Sequence, residues 1–147
     1  MARVRDIELQ EVAADLQPIY QRYGKEYGPF MNQVRVFSHR PVLLKHMMSM
    51  LLEMADESIV QKRHLEIALV TVSKVNECHY CVAHHAPRLI ANGLPAETVA
   101  RILESDCPGL DPVDRLVRDY SIQVTKESKM VSDNMFSRLL SEFTEAQ

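Results

Sequence analysis

Residues 76–85, NECHYCVAHH, combine two cysteines and two histidines in ten positions. Cys78 and Cys81 are three residues apart, so on a helix their sulfurs share one face and can form a disulfide. His84 and His85 follow Cys81 by three and four residues and reach back towards it, where an imidazole can take the proton of a thiol. This spacing is typical of a redox pair or of a metal site.

The expected start of the helix favours a thiolate at its first cysteine. Asn76 is a good N-cap residue, which predicts a helix from Glu77 to about Ala91 with Cys78 in its first turn. The unpaired backbone N–H groups and the helix dipole stabilise an anion there, so Cys78 should ionise more readily than a free cysteine. By this argument alone, Cys78 is the favoured thiolate.

A carboxylate on the preceding helix is also a candidate. The link at Asn76 is short, so the helix that ends near Val75 must pack against the next one. Glu66 lies roughly two and a half turns before Val75, and in an antiparallel pair it comes level with the region of His85. A lone glutamate is more often a solvated helix residue, but on an apolar stretch a carboxylate is costly to bury without a partner.

Other interpretations of the same residues stay open. Cys-x2-Cys-x2-His-His could hold zinc, but structural zinc sites usually draw a second ligand pair from a distant segment. The remaining histidines, His39, His46 and His64, are scattered, which disfavours zinc. His84 is explained equally well as a surface residue. Cys107 lies in a Ser-Asp-Cys-Pro-Gly turn with no histidine nearby, so we expect it to be structural or incidental.

Composition excludes several classes of protein. The 147 residues suffice for one domain with a real core, and 46% are apolar and 25% charged. The net charge of -3 is spread along the chain, which argues against a nucleic-acid surface. No apolar run reaches the roughly 18 residues of a membrane span, and the N-terminus is too charged for a signal peptide. We expect a single domain over residues 1–147, cytoplasmic by elimination, without nucleic-acid or membrane partners.

The pattern of apolar, glycine and proline residues predicts an all-α bundle. Glycine is scarce, with 4 residues, and no period-2 strand pattern or internal repeat is present. Pro18 should break the chain after the first helix, leaving a turn as far as Gly24. The β-branched stretch 67–72 resembles a buried strand, but its length and cap favour helix. Helices are predicted over residues 7–16, 59–75, 77–91 and 95–103. A short helix is predicted to start at residue 30 and a longer one at residue 41. Two more are predicted to start near residues 112 and 132.

Particular residues set the expected boundaries and faces. Ser58 and Gln61 have capping-box spacing, so a helix should begin at Ile59. The dipeptides Asn92-Gly93 and Asp111-Pro112 are typical of a helix end and a helix start. The helix from Pro41 has a wide apolar face that is either central or part of a subunit interface. Further expected features are Asp114 in a first helical turn, Ser132 as an N-cap, a helix end near Phe143, and one packed face formed by Tyr20, Tyr23 and Tyr27.

Four of these residues together resemble a known signature. Glu66, Cys78, Cys81 and His85 follow Glu-x11-Cys-x2-Cys-x3-His, which is similar to the motif of the alkylhydroperoxidase D-like (AhpD-like) proteins of the carboxymuconolactone decarboxylase superfamily. The resemblance extends over roughly residues 15–145. It includes the segments Phe37-Ser38-His39-Arg40-Pro41, Asn92-Gly93-Leu94-Pro95 and Leu110-Asp111-Pro112.

The resemblance implies an AhpD-like helical bundle that forms homo-oligomers, trimers or hexamers, with the active site near a subunit interface. It implies a thiol-dependent peroxidase or thiol–disulfide oxidoreductase in which Cys81 attacks a peroxide or disulfide and Cys78 resolves the product. His85 and Glu66 would form the proton relay. An unidentified thiol protein would reduce the disulfide, and no bound cofactor is required.

The sequence departs from the family pattern in two places. The best-studied pattern has a histidine just before the second cysteine, whereas this chain has Tyr80 there and His79 one residue earlier. We therefore count Tyr80, His79 and His84 as possible supporting residues. The family usually continues past residues 143–147 into one more helix, so we expect this chain to lack that helix.

Two alternatives from other classes remain. One is a lyase like the decarboxylases of the superfamily, a branch that lacks the paired cysteines. It would need an anion pocket, for which Arg35, Arg40 and Arg88 are available. The other is a helical protein without enzymatic activity whose cysteines hold zinc or sense redox state.

Overall fold

The computed structural model describes residues 3–147, apart from the side chain of Pro29. Every regular element in that range is a helix, which confirms the all-α prediction. The helices form two compact units, one ending at Ser58 and the other spanning Ile59–Gln147. The single domain expected over residues 1–147 stays a prediction, and its first two residues, Met1 and Ala2, lie outside the described residues.

The helices are labelled in chain order. The first unit contains α1 (Gln17–Glu26), α2 (Met31–Phe37), α3 (Pro41–Leu43) and α4 (Ser49–Glu57), with 3-10 turns at Leu9–Glu11 and Gly28–Phe30 and a π-helical segment at Leu44–Met48. The second unit contains α5 (Lys62–Val75), α6 (His79–Ala91), α7 (Ala96–Ala100), α8 (Pro112–Glu127) and α9 (Asp133–Glu142), with a 3-10 turn at Ser128–Met130.

The first helix lies later in the chain than the sequence suggested. The predicted helix over residues 7–16 is wrong, since only a 3-10 turn forms there, and α1 runs through both Pro18 and Gly24. Pro18 lies in the first turn of α1, where the missing N–H would have no intrahelical partner, so it starts a helix instead of breaking one. Tyr20 and Tyr23 are buried in this unit, as expected of a packed tyrosine face.

The apolar helix after Pro41 is continuous through α3, the π-helical segment and α4, and Pro41 takes the first position as predicted. Leu44, Met48 and Leu52 lie in the core of the first unit. A second set of apolar side chains on the same run is exposed in the chain: Val42, Leu43, Met47, Met50 and Met54.

The boundary between the two units corrects another expectation. Ser58 does not cap α5; it follows α4 as its C-cap, in the left-handed region with a φ of 47°. The predicted capping box is therefore wrong, and α5 begins at Lys62, after an N-cap residue, Gln61, whose side chain makes no capping hydrogen bond. The stretch 67–72 is helical, as predicted from its length.

In the second unit, α5 packs against both α6 and α8. Its Ile67 and Val70 join Leu89 of α6 in a buried cluster. The helix α7 ends at Ala100, earlier than the predicted residue 103. Lys74 Nζ donates to the carbonyls of Val99 and Ala100 at 2.7 and 2.6 Å, which satisfies carbonyl groups at this helix end without a further turn.

The last two helices start where the sequence predicts. Asp111 is the N-cap of α8 and forms a reciprocal capping box with Asp114. Ser132 caps α9, its hydroxyl accepting from the backbone N–H of Met135 at 3.2 Å. Within residues 3–147, no helix combines the length and the apolar character needed to cross a membrane.

Candidate functional site

The turn between α5 and α6 positions the cysteines. Glu77 adopts a left-handed conformation with a φ of 53°. Its N–H donates to the carbonyl of Lys74 at 3.1 Å, and the N–H of Cys78 donates to the carbonyl of Ser73 at 2.8 Å. These two bonds form a Schellman motif, in which Asn76 is the C-cap of α5. The expectation that Asn76 caps α6 is wrong, because the turn that ends α5 already uses it.

Cys78 is itself the N-cap residue of α6. Its sulfur accepts a hydrogen bond from the backbone N–H of Cys81 at 3.3 Å. Cys78 was expected in the first turn of α6 but lies at the N-cap, one residue before it. Its sulfur still contacts an N–H group at the helix N-terminus. This contact stabilises negative charge on the Cys78 sulfur.

Cys78 and Cys81 are joined by a disulfide, with their Cα atoms 5.4 Å apart. The separation is typical of disulfide-bonded cysteines. Both residues are half-buried, so the pair is neither sealed in the core nor fully open to solvent. The backbone N–H of Cys81 thus donates to one of the two sulfurs of the disulfide.

Glu66 and His85 meet across the α5–α6 interface. His85 Nδ1 and Glu66 Oε2 are 2.8 Å apart, and both side chains are largely buried. A carboxylate only accepts, so Nδ1 donates and Nε2 is the imidazole's acceptor nitrogen. His85 follows Cys81 by four residues and therefore lies on the same face of α6. The hydrogen bond to Glu66 therefore fixes the orientation of an imidazole one helical turn after Cys81.

Arg88 adds a positive charge to this pair. Its Nη1 lies 4.0 Å from Glu66 Oε1, the carboxylate oxygen that does not face His85. The side chain of Glu66 is only 9% exposed, so its charge needs compensation from nearby groups. From the sequence, Arg88 was a candidate only for the anion pocket of a lyase. The available signal was its position three residues after His85, which places it on the same helix face.

Of the three possible supporting residues, Tyr80 and His84 contact each other. His84 Nδ1 donates to the backbone carbonyl of Tyr80 at 2.6 Å, and the two rings lie 4.4 Å apart. Burial raises the pKa of the Tyr80 phenol, so it stays protonated and can donate a hydrogen bond. His79 is exposed at the first position of α6. Tyr80 and His84 therefore pack together, one turn apart on α6.

Cys107 has the opposite environment. It is 1% exposed, and its thiol lies 3.4 Å from the carbonyl of Thr98, to which it donates. Burial raises the pKa of the Cys107 thiol, so the neutral form is favoured. Cys107 therefore belongs to the buried core of the second unit.

The second unit contains another buried carboxylate, Asp114, whose contacts with α5 were not predicted from the sequence. Asp114 of α8 is fully buried and accepts from Arg63 Nε at 3.1 Å. Its Oδ1 also lies 3.7 Å from His64 Nε2, and its Oδ2 accepts from the backbone N–H of Asp111 at 3.2 Å. The spacing of Asp111 and Asp114 predicted a helix start, but nothing in the sequence linked them to residues 50 positions earlier.

Across residues 3–147, no group of three or more His, Cys, Asp and Glu side chains has a geometry suited to a metal ion. Of the predicted site residues, the structure brings Cys78 to Cys81 and Glu66 to His85. The candidate anion-binding residues Arg35 and Arg40 belong to the first unit, and Arg35 contacts Asp6 there.

Comparison with known proteins gives one match. The family model described as "Carboxymuconolactone decarboxylase family" matches residues 41–114, half of the chain. The matched range contains the cysteine pair, Glu66, His85 and Arg88. No curated protein and no solved structure matches the chain.

Proposed function

Because the chain belongs to the carboxymuconolactone decarboxylase family, the superfamily that includes the AhpD-like proteins, we propose that it is an AhpD-like, thiol-dependent antioxidant oxidoreductase. The observation that carries this proposal is the Cys78–Cys81 disulfide at the start of the helix that also holds His85 against Glu66. A half-buried disulfide at a helix N-terminus, with an oriented imidazole four residues later on the same helix, suits reversible thiol chemistry.

The proposed first step is the attack of the Cys81 thiolate on the distal oxygen of a hydroperoxide. The O–O bond breaks, and Cys81 is oxidised to a sulfenic acid. His85 takes the proton of the thiol before the attack and returns it to the leaving alkoxide, which departs as an alcohol. Glu66 holds the imidazole in the required tautomer and stabilises its protonated form.

In the second step, the Cys78 thiolate attacks the Cys81 sulfur and displaces the hydroxyl group, which leaves as water after protonation. The disulfide forms, and the two electrons given to the peroxide have come from the two thiols. A dithiol protein then reduces the disulfide through a mixed disulfide. A substrate disulfide would enter the same cycle by direct thiol–disulfide exchange, without the sulfenic acid.

The assignment of the attacking cysteine rests on a balance of two effects. The N-cap contact stabilises charge on Cys78. His85, on the same helix face as Cys81, favours proton removal from Cys81. We assign the attack to Cys81, which leaves Cys78 as the resolving cysteine. When the reductant attacks the sulfur of Cys81, Cys78 is the leaving thiolate, and its N-cap contact stabilises that charge.

The decisive experiment is a thiol count on fully reduced, metal-free protein before and after one equivalent of hydroperoxide. Wild type and Cys107→Ser should both lose two thiols rapidly and recover them with dithiothreitol. Thiols that stay free would contradict the proposal. With dimedone present, Cys78→Ser should form a sulfenic acid adduct at Cys81, whereas Cys81→Ser should stay unlabelled. The reverse labelling pattern would assign the attack to Cys78.

Two other functions are distinguished by simple measurements. Stoichiometric zinc in protein purified without added metal would favour a zinc-binding or redox-sensing protein. Turnover of a carboxylactone that survives loss of Cys78 and Cys81 would favour a decarboxylase-like lyase.

We also propose that the protein acts as a homo-oligomer, with a trimer or hexamer as the expected form. The exposed apolar side chains on the run from Pro41 to Glu57 support this assembly, because a subunit interface would remove them from water. Light scattering on the purified chain measures the mass directly, and a monomer at micromolar concentration would contradict it.

A further inference from the structure

We propose that Arg88 is a positioning residue of the redox site, which acts on His85 through Glu66. The inference rests on the proposed function, since it concerns the state of the imidazole that activates the thiol. Arg88 would hold the Glu66 carboxylate in place against His85 Nδ1, so that the other imidazole nitrogen, Nε2, is left as the acceptor for a proton.

Each oxygen of the Glu66 carboxylate faces a different partner. Glu66 Oε2 faces His85 Nδ1 at 2.8 Å, and Oε1 faces Arg88 Nη1 at 4.0 Å. Both partners come from α6, one turn apart, and within the described residues they are the ion-pair partners of Glu66. Arg88 therefore supplies the permanent positive charge beside a carboxylate that is 9% exposed.

The charge on Glu66 decides which imidazole nitrogen carries the hydrogen. An ionised Glu66 can only accept, so His85 Nδ1 donates and Nε2 is able to take a proton from a thiol. A protonated Glu66 can instead donate to Nδ1. The hydrogen of His85 would then lie on Nε2, and the imidazole could not act as a base towards Cys81. Without Arg88, a carboxylate that is 9% exposed loses the permanent positive charge that faces its Oε1, and a buried charge without a partner is costly.

Other charged groups near α5 are already engaged. On the side of α8, Asp114 accepts from Arg63 and lies close to His64, so this carboxylate has its own cation. Lys74, near the end of α5, donates to the carbonyls of residues 99 and 100. Arg88 is therefore the cation that the structure provides for Glu66.

The test compares Arg88→Met and Arg88→Lys in reduced protein. Methionine keeps the apolar stem of the side chain without its charge, and lysine keeps the charge. The first measurement is the tautomer of His85, from the 15N resonances of its ring. The second is the rate at which iodoacetamide alkylates Cys81 at neutral pH, located by mass spectrometry. Arg22→Met, which removes an exposed arginine paired with Glu26 and Asp56, is the control for net charge.

We expect wild type and Arg22→Met to hold the hydrogen on Nδ1. Arg88→Met should shift it towards Nε2 and slow alkylation of Cys81 about tenfold, a modest part of what a general base contributes. Arg88→Lys should restore most of both properties. An unchanged tautomer in Arg88→Met would overturn the inference. An equal loss in the methionine and lysine variants would also overturn it, because the role would then be packing.

The failure of this inference is distinguishable from failure of the proposed function. If His85→Phe alkylates like wild type and peroxide forms no disulfide, the redox proposal fails, yet the tautomer measurement still reports on Arg88. If the disulfide forms but the tautomer ignores Arg88, only the present inference fails. The NMR spectrum of each variant also shows directly whether it is folded.

Discussion

The second unit contains two buried carboxylates that each face one arginine and one histidine. Glu66 of α5 faces His85 and Arg88 of α6. Asp114 of α8 faces Arg63 and His64 of α5, in the reverse arrangement. The same three types of side chain therefore occur twice in one unit, but their distances differ, and the difference separates a chemical arrangement from a structural one.

At Asp114 the arginine is the close partner. Its guanidinium donates to both carboxylate oxygens from Nε, at 3.1 and 3.2 Å, while the imidazole of His64 stays at 3.7 Å. The carboxylate also accepts from a backbone N–H at the start of α8. The short contacts of Asp114 therefore serve the fold: Arg63 joins α5 to α8, and the backbone N–H of Asp111 completes the start of α8.

At Glu66 the imidazole is the close partner, at 2.8 Å, and the arginine lies at 4.0 Å. The short hydrogen bond of this carboxylate therefore goes to an imidazole, the type of side chain that serves as a general base. The comparison suggests that the close partner, not the list of residue types, decides whether a buried carboxylate stabilises a fold or orients a base.

The largest effect on stability should follow from Asp114→Asn. The variant keeps the shape of the side chain but removes its charge and directs an amide group at the donors around it. Breaking this buried pair should lower the free energy of unfolding by about 3 kcal/mol. Thermal and urea unfolding followed by circular dichroism measure this loss.

Asp106→Asn is the matched control, because its carboxylate is exposed and contacts only Arg101 at 3.4 Å among the described residues. Removing such a surface charge should change stability by less than about 0.5 kcal/mol. An equal, small effect of both variants would show that Asp114 is not a structural anchor and would remove the contrast with Glu66.

The next effect should be on reactivity, from Glu66→Gln. The amide oxygen can still accept from His85, so the fold should lose no more than about 1 kcal/mol. Without the carboxylate charge, the imidazolium that forms on proton transfer is no longer stabilised. We expect the alkylation rate of Cys81 in reduced protein to fall about 100-fold.

The combination of two readouts makes Glu66→Gln a direct test of the comparison. Unfolding experiments and alkylation kinetics are measured on the same preparation. A large loss of stability together with wild-type reactivity would place Glu66 in the same structural class as Asp114.

The smallest effect should come from His64→Phe. His64 Nδ1 is buried and makes no hydrogen bond within the described residues, and its ring already packs edge-on against Phe143. Phenylalanine removes the unpaired nitrogen and keeps an aromatic ring against Phe143. The contact that it loses, to Asp114 at 3.7 Å, is longer than a hydrogen bond, so stability should change by less than about 1 kcal/mol. Alkylation of Cys81 should stay within about twofold of wild type.

His85→Phe provides the counterpart, with an expected loss of roughly 100-fold in the same alkylation assay. Equal behaviour of the two phenylalanine variants would contradict the distinction between the two histidines. It would then be necessary to assign the activation of Cys81 to the helix N-terminus alone.

Local signals in the sequence predicted a helix end correctly where no neighbouring helix used the same residue. Gly93 ends α6 in the left-handed conformation with a φ of 97°, as the Asn92-Gly93 pair indicates. The preceding helix ends in the same motif with Glu77 at the equivalent position, where a glycine would be expected. A non-glycine residue is strained in this conformation, and no sequence pattern predicts that Glu77 adopts it.

Similar competition explains the other errors. Asn76 and Ser58 are good N-cap residues in isolation, but each follows a helix whose end already determines its backbone conformation. Pro18 was expected to break a helix because its position within the helix was unknown. The same residue type that disrupts a helix interior is favoured in the first turn.

The sequence by itself determined the all-α class, the face shared by Cys78, Cys81 and His85, and the family signature, because these depend on spacing along one helix or on residue types at fixed intervals. Tertiary structure alone decided that Glu66 contacts His85 at 2.8 Å while Arg88 stands at 4.0 Å, and that Asp114 takes the guanidinium of Arg63. Those contacts join different helices, and their distances follow from how α5 packs on α6 and α8, which no local pattern specifies.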